Sequence, residues 1–282
     1  MNEIKKGDIV GRKSYNKDIF FSVVKIININ GKDIAILKGL TVRILADAQI
    51  EDLELIEKEH IINYVKRLEN RLEDRINGRS YDVKEKSQLI KNKLLGKRGK
   101  VKTGFILHLD GDKRYSEKSN RYYRKMGLNA IVRNIPENKQ ERVVESLIRR
   151  YNPDILIITG HDGMIKNGTG YNDIMNYRNS RYFINTVRNA RRCVSYSNEL
   201  IIFAGACQSF FEAIMAAGAN FASSPARILI DFMDPLVIAE KVATTDEERY
   251  ITINDIESEL RDGRKGVSGS GARGKKKNTA EI

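Results

Sequence analysis

The spacing of hydrophobic and polar residues divides the chain into segments of different periodicity. Residues 1–57 contain short β-branched and aromatic runs separated by turn signals. The Asn30-Gly31 pair between two of these runs is typical of a β-hairpin. Four or five short strands in a segment of this length predict a small SH3-like β-barrel. We interpret this barrel as a docking module without chemistry of its own.

Residues 58–98 have the periodicity of helices. Apolar residues recur at three- and four-residue spacing between charged ones, and the Asn77-Gly78 pair interrupts the pattern. We therefore predict a connector of two amphipathic helices. The basic, glycine-bounded stretch 96–104 then predicts a domain boundary.

Residues 99–255 contain continuous apolar runs instead of alternating ones. The runs cover 105–109, 129–132, 154–159, 199–204 and 220–223. Helical stretches separate them, which is typical of βαβ units whose parallel sheet is buried on both faces. We predict a doubly wound, mostly parallel α/β domain over 99–255.

The C-terminal segment 256–282 differs in composition. Residues 261–282 hold seven Lys and Arg against two acidic residues, with many Gly and Ser and few apolar side chains. A segment of this composition cannot bury a core, so we predict a flexible basic tail.

Composition and charge narrow the class of protein. The chain carries 50 Lys and Arg against 37 Asp and Glu, a formal net charge of +13, which favours an acidic partner such as nucleic acid. No apolar run has the length of a membrane span, and the first residues lack the apolar run of a signal peptide. Two cysteines and three histidines are too few for a disulfide framework or a structural metal site. We expect a soluble intracellular protein without a metal or organic cofactor.

Chemically capable side chains follow three of the predicted parallel strands. His108, Asp110 and Asp112 end the first run, His161 follows the third and Cys207 follows the fourth. Because the carboxyl ends of parallel strands meet at one edge of a sheet, these residues are expected to share a cleft. A thiol and an imidazole from separate strands are the arrangement of a thiol hydrolase.

Each of these residues also has a purely structural interpretation. Cys207 lies at a strand-to-helix turn, where the positive end of a helix favours a thiolate, but it can also be a small buried hydrophobic residue. His161 can be a turn histidine, and the sequence from Asp110 to Asp112 can be a surface turn. The pairing of nucleophile and base explains Cys207 and His161 together, so we favour it.

The blocks around these two residues resemble a known family. ILIITGHDG and IIFAGACQS are hydrophobic blocks that end in a histidine and in Ala-Cys, as in the caspase-like cysteine peptidases. Over its whole length the chain resembles a sporulation-specific member of that class. The N-terminal β segment, HLDGD, GHDGM, GACQSFFEA and SSPARILIDFMDP carry this resemblance.

The resemblance implies that Cys207 is the nucleophile and His161 its acid/base partner, with no third carboxylate. It also implies an oxyanion hole formed by the backbone N–H of Cys207 and by one just after His161. Asp162 stands where many relatives have glycine. The second amide is therefore that of Asp162 or that of Gly163.

Cleavage after arginine is a further implication of the resemblance. A carboxylate at the base of a pocket fits the guanidinium fork. Gly205 stands where some arginine-specific relatives have an aspartate, which leaves Asp110 or Asp112 as the specificity residue. His108 is then expected in the pocket wall.

The implied function is a cysteine endopeptidase of sporulation. Its substrates would be spore coat and other spore-assembly proteins, and it would act in the mother-cell cytoplasm and at the forming spore coat. Self-cleavage is expected in the tail, at Arg261, Arg264 or Arg273.

The alternative is a non-enzymatic nucleic-acid-binding protein with a β-barrel and a basic α/β domain. The net charge and the N-terminal segment favour it, but it leaves Cys207 and His161 unexplained. A nucleotide-binding α/β domain lacks its phosphate-loop motif here. We therefore expect protein substrates as partners and neither nucleic acid nor a membrane.

Overall fold

The computed structural model describes residues 3–93, 99–165, 170–194 and 200–280. These residues form an N-terminal antiparallel sheet, a long helix and an α/β unit with a mostly parallel sheet. Among them, no helix is both long enough and apolar enough to cross a membrane.

The N-terminal unit is a five-stranded antiparallel sheet. Its strands are β1 (Ile9–Arg12), β2 (Phe20–Ile29), β3 (Lys32–Gly39), β4 (Leu45–Gln49) and β5 (Leu53–Leu55), in the order β4-β3-β2-β1-β5. The predicted hairpin is confirmed, because β2 and β3 pair across Asn30 and Gly31. These two residues have φ of 52° and 78°, the positive values that a two-residue hairpin turn requires.

The apolar side of this sheet faces the α/β unit. Phe21 and Leu37 of the sheet form one buried cluster with Ile230 and Cys207. The loop 40–44 between β3 and β4 therefore lies where the two units meet. Burial of this cluster from water contributes to holding the N-terminal unit in place.

The connector contains one helix, α1 (Lys58–Lys93), and the prediction of two helices is wrong. A glycine inside a helix costs only about 1 kcal/mol relative to alanine, and tertiary contacts on either side of Gly78 offset it. Ile76 is buried in the core, and Arg79 forms ion pairs of 2.7 Å with Glu240 and 2.6 Å with Glu259.

The α/β unit begins with β6 (Gly99–Lys102), inside the stretch 96–104 that is predicted as a domain boundary. Residues 94–98, at the end of the predicted connector, lie outside the described residues. Its parallel strands are β7 (Ile106–Asp110), β8 (Ala130–Asn134), β9 (Ile155–Thr159), β10 (Ile201–Ala204) and β11 (Phe221–Ser223). All five coincide with predicted apolar runs, so the mostly parallel sheet is confirmed.

Helices cover both faces of this sheet. They are α2 (Lys113–Lys125), α3 (Glu137–Tyr151), α4 (Ser180–Arg192), α5 (Phe211–Ala216) and α6 (Asp234–Thr244). Ile157 of β9 packs in one buried cluster with residues of α2 and α6, while its neighbour Ile158 packs in another with residues of α3 and α4. Successive side chains of a strand point to opposite faces, so a strand buried on both reads as a continuous apolar run.

The prediction of a flexible tail over 256–282 is wrong for its described residues. After β12 (Tyr250–Ile251) come the strands β13 (Val267–Gly269), β14 (Ala272–Arg273) and β15 (Lys277–Ala280). The main sheet has the order β13-β11-β10-β9-β7-β8, with β13 as an antiparallel edge strand, and β15 pairs with β6. Val267 and Ala272 are buried, so a few apolar residues and backbone pairing fix a segment of polar composition.

The arginines expected to be cut in this tail lie in ordered chain. Arg261 forms an ion pair of 2.6 Å with Asp262, Arg264 forms one of 2.7 Å with Glu257, and Arg273 belongs to β14. The flexibility on which the expected self-cleavage depended is therefore absent at these three positions.

The packing of α1 on the α/β core is tested by Ile76→Ala. Because Ile76 is 1 % exposed, we expect the substitution to lower the free energy of unfolding by about 2–5 kcal/mol in a denaturant titration. The matched control is Ile62→Ala on the same helix, where the side chain is 63 % exposed and the change is expected within about 0.5 kcal/mol. Equal effects of the two substitutions would contradict this packing.

Candidate active site

The strand register brings His161 and Cys207 to one edge of the sheet. β9 and β10 are adjacent and parallel, with Ile158 opposite Ala204. His161 and Cys207 each lie three residues beyond this pair. Since neighbouring strands lie about 4.8 Å apart, the two loops run side by side.

Backbone conformation fixes the turn that holds Cys207. Gly205 has φ of 118°, and a Cβ there would lie 2.4 Å from Ser223 Oγ. Gln208, directly after the cysteine, has φ of 55°, a region that non-glycine residues occupy at a cost. Its side-chain oxygen accepts a hydrogen bond of 3.2 Å from the backbone N–H of Met164. This bond ties the cysteine turn to the histidine loop.

The buried Asp162 carboxylate connects three loops at this edge. It accepts hydrogen bonds from the backbone N–H groups of Gly163 at 2.9 Å and Asn179 at 2.8 Å, and from the hydroxyls of Ser209, at 2.9 Å, and Ser180. Burial raises the pKa of Asp162 to about 6, although these four donors favour its charged form. The sequence predicted a role only for the amide of this residue, and its side chain proves to be the bridge.

His161 is a neutral imidazole in this structure. Its side chain is 2 % exposed, and burial lowers its pKa to about 3. Within the described part of the chain, neither ring nitrogen has a hydrogen-bond partner. A neutral, unpartnered ring nitrogen is able to accept a proton.

Glu137, the first residue of α3, lies beside this histidine. Its Oε1 accepts a hydrogen bond of 2.7 Å from the His161 backbone N–H and lies 3.9 Å from the ring Nδ1. Gly111 and Gly160 make room for it, since a Cβ at either position would lie 2.2 Å or 2.4 Å from Oε1. Sequence reasoning missed Glu137, because an acidic residue after a proline is typical of any helix start.

Cys207 is a buried, protonated thiol. Its sulfur lies 4.0 Å from the Ile230 carbonyl oxygen, and burial raises its pKa to about 11. The Arg43 backbone amide and guanidinium oppose this shift without cancelling it. The expectation that a helix favours the thiolate is wrong for this state, because α5 starts only at Phe211 and has six residues.

The guanidinium group of Arg43, from the loop 40–44, is buried beside these residues. The Arg43 side chain is 2 % exposed and forms an ion pair of 2.5 Å with Asp110, which is fully buried. Asp110 also accepts a hydrogen bond of 2.7 Å from Thr159. The rings of Tyr115 and Phe232 lie 4.6 Å and 5.3 Å from the guanidinium carbon. A carboxylate and two aromatic rings thus surround the Arg43 guanidinium.

The other two pocket candidates have different partners. Asp112 caps α2 by accepting hydrogen bonds from two backbone amides, and it forms an ion pair of 2.5 Å with Lys38. His108 is fully buried between Tyr123, at 3.0 Å, and Thr159, at 2.7 Å, and burial holds its pKa well below the usual range. Of the three, Asp110 is therefore the residue whose side chain contacts an arginine, Arg43.

The two amides considered for the oxyanion hole also differ. The Asp162 N–H donates to the Arg43 carbonyl oxygen at 3.3 Å. The Gly163 N–H donates to the Asp162 carboxylate at 2.9 Å. The Asp162 amide, directly after His161, is thus the one of the two that donates to a backbone carbonyl group. The role of the Cys207 amide in an oxyanion hole stays a prediction.

A cavity of about 630 Å³ adjoins this edge, between the N-terminal sheet and the α/β unit. Its lining includes Phe21 and Ile44 from the N-terminal unit, and Met164 and Gln208 from the loops that carry the histidine and the cysteine. In the described ranges, no three His, Cys, Asp or Glu side chains cluster as metal ligands would.

Comparison with known proteins identifies the class. The chain matches the family described as YabG peptidase U57 over residues 5–280, and it belongs to that family of peptidases. It is also 36% identical over 274 residues to the sporulation-specific protease YabG of Bacillus subtilis (strain 168), which covers 95% of this chain and 94% of that protein. No solved structure gives a significant match. The resemblance to a sporulation-specific peptidase is thus confirmed, and these comparisons do not support the nucleic-acid-binding alternative.

The buried state of His161 predicts a specific pH dependence of stability. Its pKa falls from 6.5 to about 3 on folding, so the unfolded chain binds the proton more tightly in this window. The stability that neutral His161 provides is present above pH 6.5 and is lost as the pH falls towards 3. We expect His161→Gln to reduce the loss of unfolding free energy between pH 7 and pH 5 by about 2 kcal/mol.

Denaturant titrations of the wild type and the variant at both pH values measure this difference. Asp162 and Glu137, whose pKa values burial raises, contribute in the opposite direction and are present in both proteins. His60→Gln, at an exposed position, is the control. Its unfolding free energy should depend on pH as that of the wild type does. If the unfolding free energy of His161→Gln depended on pH as that of the wild type does, the His161 imidazole would not be held neutral by folding.

Proposed function

We propose that this peptidase is a cysteine endopeptidase that cleaves protein substrates after arginine, with Cys207 as nucleophile and His161 as acid/base. One observation carries this proposal: an arginine side chain lies against Asp110 while its own carbonyl oxygen faces the amide that follows His161. A substrate arginine bound in the same way would present its carbonyl group at the edge that holds the thiol.

The proposed reaction starts from a neutral thiol and a neutral imidazole. His161 takes the thiol proton as the sulfur attacks the carbonyl carbon, and the Asp162 amide donates to the developing oxyanion. His161 then gives this proton to the departing amine as the C–N bond breaks. Water hydrolyses the resulting thioester, which releases the new carboxylate and restores the thiol.

Burial accounts for the need to couple these steps. A pKa of about 11 for Cys207 and of about 3 for His161 make the separated ion pair unfavourable before a substrate binds. Proton transfer therefore accompanies attack, when the charge moves on to the substrate oxygen and its amide donor. Asp162 and Glu137 are positioning residues, because each carboxylate fixes a loop of the site by accepting hydrogen bonds from backbone N–H groups.

Arginine selectivity is assigned to Asp110. A charged carboxylate in a buried pocket repays the desolvation of a guanidinium, whereas an uncharged side chain of similar shape leaves the carboxylate unpaired. Asp112 and His108 support Asp110 indirectly. Asp112 caps the start of α2, and His108 contacts Thr159, whose hydroxyl donates a hydrogen bond to Asp110.

The proposed architecture is a caspase-like α/β peptidase domain over 99–255, extended by the ordered strands of 256–280. An SH3-like barrel over 1–57 and the helical connector over 58–98 precede it. By relationship to the sporulation-specific protease, we assign spore coat and other spore-assembly proteins as substrates, and the mother cell and forming spore coat as the place of action.

Catalysis is tested with a fluorogenic peptide that ends in arginine. We expect Cys207→Ala and His161→Ala each to lower kcat/KM at least about 10³-fold, because each removes a group that acts in bond breaking. Cys193→Ala, at the other free thiol, should retain wild-type turnover. Alkylation should abolish turnover and a chelator should not. Normal activity of either the Cys207 or the His161 variant would exclude this mechanism.

Selectivity is tested by comparing peptides that end in arginine and in its uncharged analogue citrulline. Asp110→Asn should lower kcat/KM for the arginine peptide about 30-fold or more, since breaking a buried charge pair costs about 2 kcal/mol at least. The citrulline peptide should change little. Asp112→Asn is the control, and it should retain most of the preference. An unchanged ratio in Asp110→Asn, with normal folding by circular dichroism, would refute the assignment.

A further inference from the structure

We propose that the peptide bond between Arg43 and Ile44 is the first substrate of this enzyme, cut within its own chain, and that the N-terminal unit blocks the site until then. This inference rests on the proposed function, because it requires a thiol peptidase with an arginine pocket.

The Arg43 side chain is bound as a substrate side chain would be. It is 2 % exposed although it belongs to a surface loop of the N-terminal unit, and arginine is seldom buried to this degree without a partner. Its Nη2 contacts Asp110, whereas its Nε and Nη1 have no hydrogen-bond partner among the described residues. Such incomplete satisfaction is costly for a purely structural ion pair. It is acceptable in a pocket shaped for a transient occupant.

The backbone around Arg43 is also held as a bound peptide. The Asp162 N–H donates to the Arg43 carbonyl oxygen at 3.3 Å, and the Leu45 N–H donates to the Asp162 carbonyl oxygen at 2.8 Å. Ile44 and Asp162 thereby form an isolated parallel β-bridge. Addition of an extended segment by backbone hydrogen bonds is a common mode of peptide recognition. The two bonds lie on either side of Ile44, and the first is made by the carbonyl group of the Arg43–Ile44 peptide bond.

The nucleophile belongs to the buried cluster that also contains Ile44, on the C-terminal side of this peptide group. The Arg43 amide is one of the groups that favour ionisation of the thiol. Gly163 leaves the space for this approach, since a Cβ there would lie 2.0 Å from the Leu45 carbonyl oxygen. A glycine at position 163 therefore allows the segment around Ile44 to pack closely against the histidine loop.

Further contacts dock the whole N-terminal unit at the site. Lys38 pairs with Asp112, Asp47 pairs with Arg178, and the Arg114 guanidinium donates to the Leu40 carbonyl oxygen at 3.0 Å. The loop 40–44 is anchored at each end by β3 and β4. A segment tied in this way excludes an external arginine from Asp110.

The proposed step is a balanced hydrolysis. The Cys207 sulfur bonds to the Arg43 carbonyl carbon while the bond to the Ile44 nitrogen breaks, and the thiol proton passes through His161 to that nitrogen. Water then cleaves the thioester, restores the thiol and leaves a carboxylate on Arg43. The products are fragments 1–43 and 44–282. Arg43 becomes the C-terminus of the first fragment and is no longer fixed in the pocket by its covalent bond to Ile44.

The experiment follows the full-length chain by intact mass spectrometry and N-terminal sequencing, alongside turnover of the arginine peptide. We expect the wild type to acquire a new N-terminus at Ile44. The fraction cut should not change over tenfold dilution, because the reaction is intramolecular. Cys207→Ala and Arg43→Gln should stay joined at this bond, whereas Arg12→Gln, a control in the same sheet, should be cut like the wild type.

Peptide turnover by the wild type should show a lag that follows this cut, and Arg43→Gln should hydrolyse the peptide without a lag. Arg43→Lys, which keeps the charge, should be cut more slowly than the wild type and provides a variant of milder effect on folding.

Two results would overturn the inference. One is a wild-type chain that remains intact at Arg43–Ile44 yet hydrolyses the peptide from the first time point; the proposed function would then stand alone. The other is a cut at this bond that slows on dilution, which would show cleavage between molecules. If no variant hydrolyses either the peptide or the chain, the proposed function itself fails.

Discussion

The arrangement at this edge of the sheet depends on one buried ion pair, between Arg43 and Asp110. Removing two charges from water costs several kcal/mol for each ion, and only close contact and further hydrogen bonds repay it. Here a single contact of 2.5 Å, a hydrogen bond from Thr159 and two aromatic rings provide only part of that compensation, because two nitrogens of the guanidinium have no partner among the described residues. The pair joins the N-terminal unit to the carboxyl ends of the parallel strands. Its position explains why a small antiparallel sheet covers the site.

The surroundings of the pair are preorganised by backbone contacts. Asp162 holds the histidine loop, the cysteine turn and the start of α4 through four hydrogen bonds. Glu137 holds the backbone of His161 from the other side. The thiol and the imidazole therefore need no bond to each other at rest, and burial keeps both of them neutral. In the proposed mechanism, the chemistry starts when a carbonyl group of the substrate reaches the Asp162 amide.

Much of this arrangement could be predicted from local pattern. The continuous apolar runs located β7 to β11, and the rule that parallel strands end at one edge brought His161 and Cys207 together. The contribution of Glu137 could not be found in the same way, because its sequence context is that of any helix start. Arg43 was equally hidden, since its partner Asp110 is 67 residues away and only the docking of two units joins them.

The errors have a common physical origin. The predictions at Gly78 and in the polar tail relied on local secondary-structure propensity. For residues other than proline, helix propensity contributes no more than about 1 kcal/mol per residue. Tertiary contacts outweighed it: Arg79 and Ile76 hold α1 together, and Val267 fixes an edge strand. The thiolate expectation failed similarly, because the burial of Cys207 outweighs the short helix that follows it.

The central claim is that the Asp110 pocket delivers an arginyl carbonyl group to Cys207. The most direct measurement is covalent labelling with a peptidyl-arginine acyloxymethyl ketone, which alkylates a thiol only from the bound position, followed by peptide mapping. The account predicts one label per chain, on Cys207, that is lost in the Asp110→Asn variant. Labelling of Cys193 instead, or equal labelling of Asp110→Asn and the wild type, would contradict it.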